Sequence, residues 1–231
     1  MAVSMPAAKR FLLLAATRSD RLHGMLLRMF PRRSGPPPDR KRWDREYATG
    51  GWEWLKDLQE APHNYIIAAY CNRAGDKTAI LDIGCGEGVL QAILDRIGYR
   101  RYVGIDVSQV AIEHASAKAN ARTSFVTGDA MDRAIEGQFD TVVLNEVLYY
   151  FPDPLAILER LADRLNPGGQ FVVSMAQPSF RDALAVQKIW RDIASVYKVA
   201  AEVSLCYPNG LPRTIKLFAP SSPSGAAQVP P

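Results

Sequence analysis

Cysteine is scarce: Cys71, Cys85 and Cys206 are the three in 231 residues. An odd number without metal-ligand spacing argues against a disulfide framework or a thiolate metal site and fits a reducing cytoplasm. Long apolar runs are missing as well. Nothing approaches the ~20 residues a membrane-spanning helix needs. Phe11–Ala16, after Lys9 and Arg10, is six residues long. That is short of the roughly 7–15 of a secretory signal, and Arg18, Asp20 and Arg21 follow it directly. A net positive balance is lacking outside one end. The formal charge is +4, but residues 1–45 hold eleven Lys/Arg against three Asp/Glu, a net +8, which leaves −4 for the remainder. The basic balance therefore describes an N-terminal arm and gives no reason to expect nucleic-acid binding by the rest.

An apolar content of 48% over this length suffices for one sizeable α/β domain with an appendage. In the arm, Leu22, Met25, Leu26, Met29 and Phe30 recur at helical spacing beside Arg21, Arg28 and Arg32. A basic amphipathic helix can lie on an anionic membrane, pack on its own domain or meet a partner. The expectation is an arm over residues 1–42 that is dispensable for folding and able to make peripheral membrane contact. Ser34-Gly35-Pro36-Pro37-Pro38 forms a linker no helix crosses. Residues 43–219 form the globular domain, with a helical lid at 43–75, and 220–231 read as a disordered tail.

The domain is organised around Leu81-Asp82-Ile83-Gly84-Cys85-Gly86-Glu87-Gly88. Ala79–Ile83 read as a buried strand, and Val89, Leu90, Ile93, Leu94 and Ile97 follow at helical spacing. Strand, glycine turn and helix start together present bare backbone and unpaired N–H groups to a ligand. A dinucleotide fingerprint has G-x-G-x-x-G. This chain has G-x-G-x-G with Asp82 two residues earlier, a carboxylate suited to an ammonium group instead. A purely structural turn is the competing reading.

The stretch resembles motif I of the class I S-adenosylmethionine-dependent methyltransferases. That resemblance implies S-adenosyl-L-methionine as cofactor, with Asp82, Gly84, Cys85 and Gly86 at its methionine end. Four later segments continue it. Arg101–Asp106 reads as strand two, and Asp106, with Val107 beside it, takes the place of the acid that accepts the ribose hydroxyls. Thr123–Thr127 leads into Gly128-Asp129-Ala130, where Asp129 and Ala130 would meet adenine with Met131 packed on its face. Phe139–Leu144 ends in Asn145-Glu146-Val147-Leu148-Tyr149-Tyr150. Asn145 is counted with the donor site, and Glu146, Tyr149 and Tyr150 are the candidate catalytic residues, with His63 a further candidate base. In this segment relatives often have histidine where the two tyrosines stand. The N/D-P-P-Y/F signature of enzymes acting on exocyclic amines of bases is absent, so no nucleic-acid substrate is expected. Asn166-Pro167-Gly168-Gly169 ends a helix whose stripe is Leu155, Ile157, Leu158, Leu161 and Leu165, and strand five is Gln170–Met175.

Ahead of motif I, Trp43-Asp44-x-x-Tyr47 with Trp52 and Trp54 looks like the aromatic lid of many small-molecule methyltransferases, so that Tyr47 would touch the donor or line the acceptor pocket. The C-terminal hairpin, turning at Asn209-Gly210, completes the expected fold: a doubly wound, mostly parallel seven-stranded sheet of Rossmann-like type with an antiparallel end. The activity implied is methyl transfer to N or O of a small molecule, such as a sugar or lipid-linked acceptor. The N-E-V-L-Y-Y segment resembles nodulation-type N-methyltransferases. The rival is a non-catalytic S-adenosylmethionine binder on the same fold.

Overall fold

The computed structural model describes residues 6–30, 39–72, 75–206 and 212–219. The proline linker, the hairpin turn and the C-terminal tail lie outside the described residues. Helices α1 (Ala7–Arg18), α2 (Asp20–Met29), α3 (Arg40–Ala48) and α4 (Ala61–Cys71) precede the sheet. Then come β1 (Ala79–Ile83), α5 (Val89–Ile97), β2 (Arg101–Asp106), α6 (Gln109–Ser116), β3 (Thr123–Thr127) and β4 (Phe139–Asn145). The chain continues through α7 (Pro154–Ala162), β5 (Leu165–Ala176), α8 (Phe180–Val196), β6 (Lys198–Cys206) and β7 (Pro212–Ala219). The seven strands run in the order β3-β2-β1-β4-β5-β7-β6. β1 to β5 pair in parallel, and β7 is antiparallel to both neighbours. The order reverses between β1 and β4, which places a ligand crevice at their carboxyl ends.

Alternation along the strands builds two apolar layers. Leu81, Ile83, Val142, Leu144, Phe171 and Val173 face the α7–α8 side. Ile80, Tyr102, Val143 and Val172 face α4 and α5. Burying each such side chain stabilises the fold by roughly 1.5–3 kcal/mol. The sheet is therefore rigid enough to hold loops at its edge in fixed positions. No described helix is long and apolar enough to cross a membrane.

One boundary differs from expectation. Strand five begins at Leu165, which pairs with Phe139. Leu165 therefore belongs to the sheet and not to the α7 stripe, and Pro167-Gly168-Gly169 falls inside an irregular strand start. Helix α6 ends at Ser116. α8 begins at Phe180, capped by Ser179, whose hydroxyl accepts from the Asp182 N–H at 3.2 Å.

The N-terminal helices pack on the domain. Leu13, Ala16 and Leu26 are buried against Phe180, Ala183 and Leu184 of α8. Phe30 meets Phe180 edge to face with centroids 5.3 Å apart. Buried His23 donates from Nε2 to the Leu184 carbonyl at 2.9 Å, and Arg191 reaches both Asp20 and His23. Of the three readings left open for the stripe, packing on its own domain holds for part of it, on α8, while Phe11, Leu14, Met25 and Met29 remain exposed. Removing residues 1–41 would uncover Phe180, Ala183 and Leu184. We expect the shortened chain to melt about 10 °C or more below the full chain and to aggregate, since each lost kcal/mol lowers the midpoint of a domain this size by roughly 2–4 °C. Equal melting temperatures by circular dichroism would show the arm to be an independent attachment.

Candidate active site

Gly84 and Cys85 donate backbone N–H bonds to the Ile105 carbonyl at 2.7 and 3.2 Å, which ties the glycine turn to the tip of β2. Gly84 has φ +71, and a Cβ there would fall 2.6 Å from Val147 Cγ2, so no other residue fits without movement. Asp106 lies beside it at the end of β2. Its Oδ2 accepts from Gly86 N at 2.9 Å and its Oδ1 from Ser108 N at 2.8 Å. Burial pushes its pKa up against these bonds. Gly128, Asp129, Ala130 and Met131 follow β3, and Asp129 Oδ1 holds the Met131 N–H at 2.8 Å. Asn145 ends β4 and donates from Nδ2 to Asn64 at 3.2 Å, while its buried Oδ1 has no hydrogen-bond partner among the described residues.

These loops form one wall of a cavity of about 710 Å³, a size usual for small-molecule sites. The lid forms the opposite wall. Asp44 of α3 accepts from the Ser108 hydroxyl at 2.8 Å and from Val110 N at 3.3 Å, which clamps α3 to the start of α6. Lys56 bridges to Glu87 at 2.5 Å, and His114 meets the same carboxylate at 2.6 Å, so the lid is also tied to the glycine turn. Tyr47 is thereby set over Gly86: a Cβ on Gly86 would fall 2.7 Å from the Tyr47 hydroxyl. Burial, then Asp106, raises the Tyr47 phenol far above its ordinary pKa, so it stays protonated.

Of the expected donor residues, Tyr47, Gly84, Asp106, Val107, Asp129, Ala130 and Asn145 line the cavity. Gly86 lies beneath Tyr47. Cys85 is buried with its sulfur against Gly104, where a Cβ would fall 2.7 Å from Sγ, so its side chain serves the packing of β2. Asp82 was expected to face a ligand ammonium. Strand alternation instead turns it to the α4–α5 side, where Oδ2 accepts from Tyr102 at 2.5 Å and Oδ1 is buried without a hydrogen bond among the described residues.

Burial pushes the Asp82 carboxyl up to about 7. The unfolded chain ionises near ~3.9, so folding takes up a proton between the two values and stability falls as pH rises across that window. Asn cannot ionise. The melting temperature of Asp82→Asn minus that of the wild type should therefore grow from pH 5 to pH 7 and level off above. A difference that stays flat from pH 5 to pH 8 would mean the carboxyl ionises normally.

The candidate bases are all engaged elsewhere. Glu146, the one non-glycine residue at positive φ among those described (58°), sits just past β4. Its Oε1 accepts from the Ser174 hydroxyl at 2.7 Å, and its Oε2 from Ala176 N at 2.8 Å and the Tyr149 hydroxyl at 3.0 Å. Arg213 of β7 adds an ion pair at 3.2 Å and also reaches Glu60 at 2.5 Å and His63 Nδ1 at 2.7 Å. Tyr149 is a donor whose phenol burial and then Glu146 raise far beyond neutrality. His63 does not line the cavity; burial and then Arg213 lower it to about 3, so it is a neutral acceptor for that guanidinium. Tyr150 packs on Trp43 and Tyr149, with centroids 5.1 and 4.8 Å away. The cluster of Arg213, Glu60 and His63 was not foreseen, nor was the clamp made by Asp44.

Comparison with known proteins identifies the family. The ubiquinone biosynthesis O-methyltransferase of Xanthomonas campestris pv. campestris (strain B100) is 34% identical over 137 residues, 57% of this chain and 54% of that protein. The ribosomal protein L11 methyltransferase of Burkholderia orbicola (strain MC0-3) is 33% identical over 97 residues, 42% of this chain and 31% of that one. The chain thus spans about a third to a half of these relatives. Among solved structures, the N-methyltransferase NodS of Bradyrhizobium japonicum WM9, in complex with S-adenosyl-L-homocysteine, superposes with a TM-score of 0.66 at 20% identity, covering 78% of this chain and 96% of that one. At that identity the likeness establishes the fold. The family model described as a methyltransferase domain matches residues 21–202, most of the chain, and the protein belongs to that family.

Proposed function

We propose that the protein transfers the methyl group of S-adenosyl-L-methionine to a nitrogen or oxygen atom of a small molecule. The observation that carries this reading is Asp106: a buried carboxylate at the strand tip, held by two backbone N–H groups and lining a cavity beside a glycine turn. A ligand with vicinal hydroxyls would find two charge-assisted acceptors there. The chain's other groups suit the same ligand. Asp129 and Met131 would border its adenine, the bare Gly84 backbone would admit its amino-acid end, and the unpartnered Asn145 Oδ1 offers one further acceptor. When bound, the cofactor supplies an electrophilic methyl on a sulfonium.

The residues of this chain then position and enclose. Tyr47, Trp43 and Trp52 cover the cavity and exclude water, which strengthens every electrostatic interaction inside. Holding nucleophile and methyl in line supplies much of the rate. The aromatic wall at Tyr150, Phe151 and Trp54 fits a small acceptor, such as a sugar or lipid-linked molecule that presents one nucleophilic atom. All three cysteines are free thiols, which suits a reducing cytoplasm.

The test is incubation of the full chain with methyl-labelled S-adenosylmethionine and a cell extract. Label recovered in a low-molecular-weight product supports the proposal. Donor binding with no transfer to any extract component would favour a non-catalytic binder.

A further inference from the structure

The cavity as a whole has two properties that the proposed reaction alone does not require. It is aromatic: Trp43, Tyr47, Trp52, Trp54, Tyr149 and Tyr150 all line it and form a continuous chain of rings. Successive centroids lie 4.8 to 6.2 Å apart, from Tyr149 to Tyr150, Trp43 and Trp52, with Tyr47 and Trp54 both adjoining Trp52. It is also acidic. Asp106, Asp129, Glu146 and Asp182 line the cavity, and Arg213 is the one Lys or Arg among the described lining residues. That guanidinium is itself held between Glu146 and Glu60.

Ring faces carry partial negative charge and attract alkylated cations, and a cleft lined by one sign of charge concentrates the opposite sign. A carboxylate or phosphate acceptor would be repelled here. A hydroxyl acceptor would need a base, and Glu146, Tyr149 and His63 are all engaged elsewhere. A neutral amine needs none.

We infer that the acceptor is an amine that enters uncharged and leaves as an alkylated ammonium held by the aromatic, acidic cavity. This inference rests on the methyl-transfer reading above. The nitrogen lone pair forms the new N–C bond while the C–S bond breaks and its electron pair stays on sulfur. One positive charge passes from sulfur to nitrogen within the cavity, so its lining faces a cation throughout. If the nitrogen bore hydrogen, that proton leaves afterwards to water.

Three probes of one shape but different charge test this: choline, 3,3-dimethyl-1-butanol and 3,3-dimethylbutanoate. Each is titrated against the full chain, with tryptophan fluorescence as readout, in the absence and presence of S-adenosyl-L-homocysteine. A single cation–aromatic contact contributes roughly 2- to 30-fold in affinity. Choline should therefore bind at least fivefold more tightly than the neutral alcohol, and the anion should give no saturable change. Replacing Trp54, a partly exposed ring, by Leu should narrow the choline preference with the melting temperature unchanged. Equal affinity for choline and the alcohol, binding of the anion, or no response to choline would overturn the inference. So would a labelled extract product methylated on oxygen. S-Adenosyl-L-homocysteine is titrated separately; choline preference without its binding would reject the donor reading and leave the cation site standing.

Discussion

Gly86→Val should abolish binding of the methyl donor while leaving the sheet folded. Gly86 has φ +52, a conformation that a β-branched residue adopts only under strain. Its new Cβ would fall 2.7 Å from the Tyr47 hydroxyl, so the lid must lift or the turn must shift. The Gly86 N–H also bonds Asp106 Oδ2, and any shift of the turn moves the carboxylate with it. One substitution therefore disturbs the turn, the lid and the acid proposed to bind the ribose together. The apolar layers on either face of the sheet do not include Gly86, so far-ultraviolet circular dichroism should be nearly unchanged. We expect affinity for S-adenosylmethionine to fall by about 100-fold or more, the equivalent of roughly 2.7 kcal/mol. A variant that binds normally would make the turn purely structural.

Asp106→Ala should weaken donor binding by about 10- to 150-fold. Charge-assisted bonding to this carboxylate would contribute about 1.5–3 kcal/mol in all, since both its oxygens already accept backbone N–H groups. The same change frees the N–H groups of Gly86 and Ser108, so the turn loses its anchor as well. Asp106→Asn separates the two effects. It keeps the shape and one acceptor and should fall between wild type and alanine. Unchanged affinity in a folded alanine variant would remove Asp106 from the site.

Much of this was legible in the sequence because it is local. β1, β2 and β3 occupy the ranges read from the sequence, each a short stretch around an apolar centre with glycine or a polar residue at the sheet edge. The acids at the strand tips followed from the same reasoning, because a parallel sheet brings consecutive tips to one edge. What escaped was long-range. Arg213 meets Glu60 and His63 across about 150 positions of sequence, and no spacing rule links them. Glu146 looked like a free acid next to the strand, yet Ser174 and Ala176 on the adjacent strand already use it. The stripe at Leu22, Leu26 and Phe30 was visible, but amphipathicity alone does not say what covers it. Here α8 does, through Phe180 and Leu184. Asp82 was misplaced for a simpler reason: period-two alternation sets it on the face of Ile80, away from the cavity, and the motif drew attention from that alternation.

On the proposed function, this cavity holds a methyl donor on Asp106 and the glycine turn. Isothermal titration of the full chain with S-adenosylmethionine and with S-adenosylhomocysteine tests it most directly. Saturable binding of both at one site per chain, lost in Gly86→Val and weakened in Asp106→Ala, is the predicted result. Absence of heat with either ligand, from protein shown to be folded, would contradict it.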